Sequence, residues 1–174
     1  MMDRVASRPG PLAGADVIAR LRDLEDIRLV KHRFMRCLDL KLWDEIGGTL
    51  TGDAALFIGT SSYGQSAEVH GSGQITVFLR NRYGPLMLTE HVASQPEISV
   101  DGDTATGIWA YREKVLATEH RMLVTSTGFC EERYERGGDG QWRIGWLGYR
   151  RSQEVMVSLD DLPSLQVIVP RSGQ

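Results

Sequence analysis

Apolar residues recur at steps of three and four through Val17, Leu21, Leu24, Ile27, Val30, Phe34 and Leu38. That spacing is one face of a helix, and Asp16 stands where a side chain can cap the first turn. A break is predicted near Lys41, with a short second helix from Leu42 toward Leu50. Asp53 to Ile58 reads as a strand, and Gly59 to Gln65, rich in Gly and Ser, as a loop. Ser72 is placed to cap a third helix that carries Ile75, Phe78 and Leu79 and ends near Gly84-Pro85. From Leu86 onward the pattern is strand and turn. Long runs at Thr104 to Leu116, Arg121 to Arg136 and Gln141 to Glu154 are separated by turn signals. Those signals are Asp101-Gly102-Asp103, Thr118 to His120 and Gly137-Gly138-Asp139-Gly140. Pro96-Glu97 should break or end an edge, because proline cannot donate to a ladder.

Helices followed by an antiparallel meander predict an α+β fold. The stripe of the long helix needs cover, so the sheet is expected to bend into a cone wrapped on the helices. The 174 residues suffice for one domain with a real core. We place that domain at 16–156, after a disordered lead-in at 1–15. The tail at 157–174 carries the apolar run Leu165-Gln166-Val167-Ile168-Val169 and is expected to dock on the domain or on a neighbouring subunit.

Composition narrows the function by exclusion. Net charge is −3 and basic residues are interspersed with acidic ones, so there is no nucleic-acid footprint. Cys37 and Cys130 read as reduced core thiols. No Cys-x-x-Cys pair and no helical histidine pair suggests a metal site. The run Gly71-Ser72-Gly73 precedes a helix but lacks a P-loop lysine. No apolar run is long enough for a membrane span, and the N-terminus lacks a signal-peptide pattern. A soluble cytoplasmic protein without metal or cofactor is the expectation.

Two residues carry the sharpest chemical signal. Asp39 lies at the end of the long helix among Phe34, Leu38, Leu40, Leu42 and Trp43, where a carboxylate must find a partner, stay wet or shift its pKa. Its plain alternative is a helix-end carboxylate capped by Lys41 or solvent. His91 lies in a strand-like run and could be the partner; a lone strand histidine is more often structural. Trp109, Tyr111 and Glu113 share one strand face by alternation, and Tyr149 and Arg151 share another. Turned inward, these faces would wall a pocket with aromatics, a second carboxylate and a guanidinium. Turned otherwise, they are core aromatics and solvated charges.

Several short motifs then occur in one order. They are Arg36-Cys37-Leu38-Asp39 with Lys41-Leu42-Trp43-Asp44-Glu45, His91 with Pro96-Glu97-Ile98, Thr104-Ala105-Thr106-Gly107 with Trp109, Asp139-Gly140-Gln141-Trp142, and Gly148-Tyr149. Together, from about Leu24 to Met156, the chain resembles the SnoaL-like branch of the nuclear-transport-factor-2-like superfamily. That branch contains bile-acid 7α-dehydratase and is related to scytalone dehydratase. The resemblance implies that Asp39 and His91 line the floor of a conical pocket. It places Arg151 and Glu113 on family polar positions, Glu113 being longer than the family's aspartate. It puts Phe34 where the family has a tyrosine, so a hydroxyl suited to an oxyanion is missing.

The expected activity is a cofactor-free dehydratase for an apolar, polycyclic, hydroxylated molecule such as a steroid or polyketide. His91 would remove a proton, and Asp39 would orient it or protonate the leaving hydroxyl. Phe34, Trp109, Tyr111, Glu113, Tyr149 and Arg151 would bind the substrate. The superfamily also holds isomerases, cyclases and non-enzymatic binders, so an isomerase or cyclase on the same dyad and a binding protein are the alternatives. A homodimer or homotrimer is expected from the family and from the outer face of a curved sheet.

Overall fold

The first apolar run folds as a 26-residue helix, α1 (Gly14–Asp39), in this computed structural model, which describes residues 14–61 and 64–168. The buried face is not the whole predicted stripe. Val17 and Leu21 are exposed, and burial begins at Asp23 and continues through Ile27, Lys31, Phe34, Met35 and Leu38. The helix closes with Lys41 in the left-handed region at φ 59 and Leu42 N–H donating to the Cys37 carbonyl at 2.9 Å. That bond is the signature of a Schellman-type stop.

A short helix, α2 (Trp43–Ile46), and one 3-10 turn (Gly47–Thr49) follow, then strand β1 (Leu50–Ile58). Strand β2 (Ala67–His70) pairs with β1 and was not predicted; four residues are too few for a readable period. In α3 (Ser72–Arg82) the cap is Gly71 at φ 86, and the Ser72 side chain makes no capping bond, contrary to expectation. The meander is β3 (Met87–Asp101), β4 (Thr104–Ala117), β5 (Met122–Arg136) and β6 (Trp142–Ser158), with turns at the three predicted places.

All six strands form one curved, unclosed sheet in the order β2-β1-β6-β5-β4-β3. The meander is antiparallel, and β1 joins β6 in parallel, which makes the sheet mixed. Helices cover its inner face, giving the expected α+β cone. Bulges bend it. One lies at Thr127/Gly128, where a side chain at residue 128 would overlap the Arg150 carbonyl oxygen. Glycine is therefore required at that close approach.

Pro96 does not end β3. It sits in a bulge between Ser94 and Glu97, next to Gln95 at φ 51, and β3 is an edge strand. An edge and a bulge are the two places where a sheet tolerates proline. Residues 1–13 of the predicted lead-in (1–15) and 169–174 of the predicted tail (157–174) lie outside the described residues, while Gly14 and Ala15 open α1 and Val157 and Ser158 close β6. Among the described ones, the tail begins with a 3-10 turn (Leu159–Asp161), and the Leu159 N–H donates to the Arg121 carbonyl at 2.8 Å. Leu165, Val167 and Ile168 are exposed. No helix among the described residues is long and apolar enough to cross a membrane.

Candidate active site

The Pro96 bulge is what assembles the site. Counted back from the turn, where Asp101 faces Thr104, an unbroken ladder would set His91 opposite Lys114. The bulge inserts one residue, and His91 faces Glu113 instead. A one-residue shift also exchanges the faces of a strand. His91 thereby points inward with Glu113, and its side chain is only 1% exposed.

Asp39 reaches the same place from the end of α1. Its Oδ1 lies 2.6 Å from His91 Nδ1 and accepts from Thr89 Oγ1 at 2.9 Å, while Oδ2 accepts the His91 backbone N–H at 2.9 Å. A carboxylate is unfavourable at the negative end of a helix, and these donors hold it there. Lys41 does not cap Asp39 directly; its Nζ donates to Thr89 Oγ1 at 3.0 Å.

On the far side of the ring, His91 Nε2 is 3.5 Å from Glu113 Oε1. Glu113 accepts from Tyr83 Oη and from Ser126 Oγ, both at 2.9 Å, and Ser126 Oγ lies 3.2 Å from Tyr149 Oη. The rings of Tyr83 and Tyr111 pack on the imidazole, with centroids 5.3 and 5.9 Å away. The result is a row, Asp39–His91–Glu113, with the imidazole between two carboxylates. Burial disfavours the imidazolium. The bond to Asp39 and the charges of Asp39 and Glu113 more than offset it, so the His91 pKa is raised above 6.5.

Beyond Glu113 lies a hollow between α1, α3 and the sheet. It spans about 500 Å³ of atom-free space, part of it open to solvent, but a water molecule's centre has only about 40 Å³ in which to sit. That is room for a few waters. Most of its wall is apolar, with Phe34, Leu38, Leu56 and Leu147 among the residues.

Of the residues singled out in the sequence, Phe34, Tyr111, Glu113, Tyr149 and Arg151 line this hollow. Asp39 and His91 stand behind Glu113 and do not line it. Trp109 does not line it either; its indole N–H donates to Tyr134 Oη at 2.9 Å in the core. Arg151 closes one side, donating to the Thr60 carbonyl at 2.5 Å and stacking 5.3 Å from the Tyr149 ring.

Two polar wall residues escaped sequence reading. Tyr83, just past α3, had no pattern to mark it. Lys31 had one: it is four residues after Ile27 and three before Phe34, a charge on an apolar stripe. Its side chain is wholly buried, paired with Glu132, which also accepts from Tyr134 Oη. Burial opposes the ammonium, but the charge of the Glu132 carboxylate and its hydrogen bond outweigh it and raise the Lys31 pKa. Burial pushes the Cys130 thiol up to about 12, so it is a thiol and not a nucleophile near neutrality.

A family model for the SnoaL-like domain matches residues 19–146. Among solved structures, the Kfla4162 protein from Kribbella flavida is 20% identical, with a TM-score of 0.69 over 78% of this chain and 95% of that one. A scytalone dehydratase-like protein from Novosphingobium aromaticivorans DSM 12444 is 17% identical, with a TM-score of 0.69 over 80% and 90%. The hexachlorocyclohexane dehydrochlorinase LinA-type3 from Novosphingobium barchaimii LL02 is 15% identical, with a TM-score of 0.69 over 91% and 100%. At these identities the likeness carries the fold alone.

Proposed function

The chain belongs to the SnoaL-like family of the nuclear-transport-factor-2-like superfamily, and on that premise we propose that it is a cofactor-free lyase. It removes water from an apolar hydroxylated molecule by acid–base chemistry at the Asp39–His91–Glu113 row. The observation that carries this reading is the row itself: two spacings of 2.6 and 3.5 Å lead from a helix-end carboxylate through an imidazole to a carboxylate on the wall of an apolar hollow.

The roles follow from charge. An imidazole held between two carboxylates is biased toward its cation, and a cation cannot accept a proton. The base is therefore Glu113, the member of the row that lines the hollow. It takes the proton next to a carbonyl or a system conjugated with one; the C–H electron pair becomes the new double bond. The C–O bond breaks with its pair on oxygen, and the row returns a proton so that the hydroxyl leaves as water. Asp39 and Thr89 fix the ring, and the imidazolium steadies Glu113. This moves the basic role from His91 to Glu113 relative to the sequence-based expectation.

The polar scarcity of the hollow favours an apolar substrate. With room for only a few waters, the hollow admits a ring when Phe34 or Leu38 swings aside, and a polycyclic skeleton requires a wider opening. An isomerase would use the same row without losing water. A binder without turnover is favoured by Phe34, which brings no hydroxyl to the wall. We extend the proposal to assembly: exposed Phe57 and Phe129 on the outer sheet face suit a homodimer or homotrimer.

The test is a panel of β-hydroxy ketones with one to four rings, read by product mass. Loss of one water identifies the lyase, an unchanged mass with a moved double bond the isomerase. Glu113→Gln and His91→Asn should each lower turnover roughly 100- to 10,000-fold. Absence of turnover on the whole panel, with tight binding kept in both variants, would leave the binder.

A further inference from the structure

We propose that Lys31 is the anion-receiving group of the hollow. Its substrate then carries a carbonyl oxygen conjugated, through the ring, to the carbon that loses its proton. The inference rests on the acid–base reading and adds the second polar end of the site.

Three observations lead there. Lys31 is a wall residue of the hollow and is fully buried, so any ligand in the hollow meets it without intervening solvent. Its charge is held in place by a filled chain: Trp109 donates to Tyr134, Tyr134 to Glu132, and Glu132 accepts from Lys31. An ammonium has three N–H groups. Glu132 accepts one of them, and no other described residue accepts from the ammonium, which leaves the rest for the hollow.

The third observation is position. Ser126, which binds Glu113, and Glu132, which binds Lys31, lie on the same inner face of β5 six residues apart. At about 3.3 Å per residue the backbones that anchor the carboxylate and the ammonium stand roughly 20 Å apart along the strand. They belong to opposite ends of one hollow. A charge created beside Glu113 reaches Lys31 only if bonds carry it there.

A conjugated ketone does so. The C–H bond breaks, its proton goes to Glu113, and the electron pair moves through the π system onto the carbonyl oxygen. Lys31 donates a hydrogen bond to that oxyanion and keeps its proton. When the C–OH bond breaks, the pair returns to carbon, and the hydroxyl leaves with a proton from the row. The ammonium does the work that Phe34 has no hydroxyl to do. A ketone whose carbonyl sits on the reacting carbon's own neighbour, without conjugation to the far end, leaves Lys31 idle and reacts more slowly.

The probe is 4-nitrophenol, an apolar ring with a conjugated, ionisable oxygen and a visible phenolate band. Bound to the wild-type protein below the probe's own pKa, it should show phenolate absorbance well above that of the free probe. Nitrobenzene, lacking the oxygen, should bind at least about tenfold more weakly than the phenolate. The double variant Lys31→Met/Glu132→Gln removes both charges and leaves no buried ion unpaired. Checked for its fold by circular dichroism, it should lose the phenolate signal.

Two results overturn the proposal. One is a wild-type protein that binds 4-nitrophenol without ionising it. The other is a folded double variant that ionises it as the wild type does. Should the double variant fail to fold, the wild-type comparison of phenolate with nitrobenzene still decides. Glu113→Gln separates this inference from the acid–base reading, since it should keep the phenolate signal while losing turnover. A purely structural Lys31–Glu132 pair would leave the probe's ionisation untouched.

Discussion

Replacing Asp39 by Asn keeps the shape of the side chain and removes its charge. The carboxylate accepts three hydrogen bonds, from Thr89 Oγ1, the His91 backbone N–H and the His91 ring. An amide offers one acceptor oxygen, so at least one donor is left facing an NH2 group. A hydrogen bond to a charged partner contributes about 1.5–3 kcal/mol, and the Asp39 side chain is 23% exposed, which favours the lower half of that range. In a chain of this size the loss should lower Tm by roughly 3–10 °C.

The pH dependence of that loss is the sharper readout. His91 has a folded pKa raised above its unfolded value of 6.5. It therefore binds more protons when folded over the window between the two values. The stability it supplies is fully present below about pH 6.5 and is lost as pH rises through the raised folded pKa. In Asp39→Asn the upward influence of the carboxylate is gone, the opposing influence of burial remains, and the ring pKa should fall. The gap in Tm between wild type and variant should thus be widest near about pH 6 and narrow on the alkaline side. Thermal denaturation across pH, with NMR titration of the His91 ring, reads both effects. A gap that is constant with pH, or a ring pKa unchanged in the variant, would refute the charged-row argument.

Other substitutions probe separate parts of the account. Glu132→Gln alone strands the Lys31 ammonium in the core and should cost about 3–5 kcal/mol in urea denaturation; a cost under about 1 kcal/mol would mean the pair is not buried as described. Gly128→Ala forces a methyl group onto the Arg150 carbonyl oxygen at the bulge between β5 and β6 and should destabilise by about 1–3 kcal/mol, measured the same way. Phe57→Glu/Phe129→Glu places two carboxylates on the outer face of the sheet. Light scattering should show a smaller particle than the wild type, with turnover reported alongside, and an unchanged mass would remove the outer face from any interface.

The parts of the fold that follow from local rules were legible in the chain. The step of three and four marked α1, glycine- and aspartate-rich turns marked two hairpins of the meander, and the polar run Thr118 to His120 marked the third. Non-local facts were not. The parallel pairing of β1 with β6 joins segments about 90 residues apart in sequence and leaves no period to read. β2 is too short, and the outer turns of α1 carry apolar residues that the domain itself does not cover.

The site divides in the same way. Asp39 and His91 stood out as polar residues in apolar surroundings, and family resemblance paired them; the periodicity alone could not. That Glu113 stands between His91 and the hollow depends on one extra residue at the Pro96 bulge, which a strand-counting argument does not see. Lys31 was visible as a charge on a buried stripe, yet its partner Glu132 lies 101 residues away. Only the packed sheet makes that pair apparent.

The central claim is that the Asp39–His91–Glu113 row moves a proton on a molecule in the hollow. Incubating the protein with a conjugated β-hydroxy ketone in deuterium oxide, and locating the label by NMR, tests it most directly. The account predicts deuterium at the carbon that Glu113 deprotonates, together with dehydrated product, and a fall of roughly 100-fold or more in both for Glu113→Gln. Label and product formed at wild-type rates by that variant would contradict it.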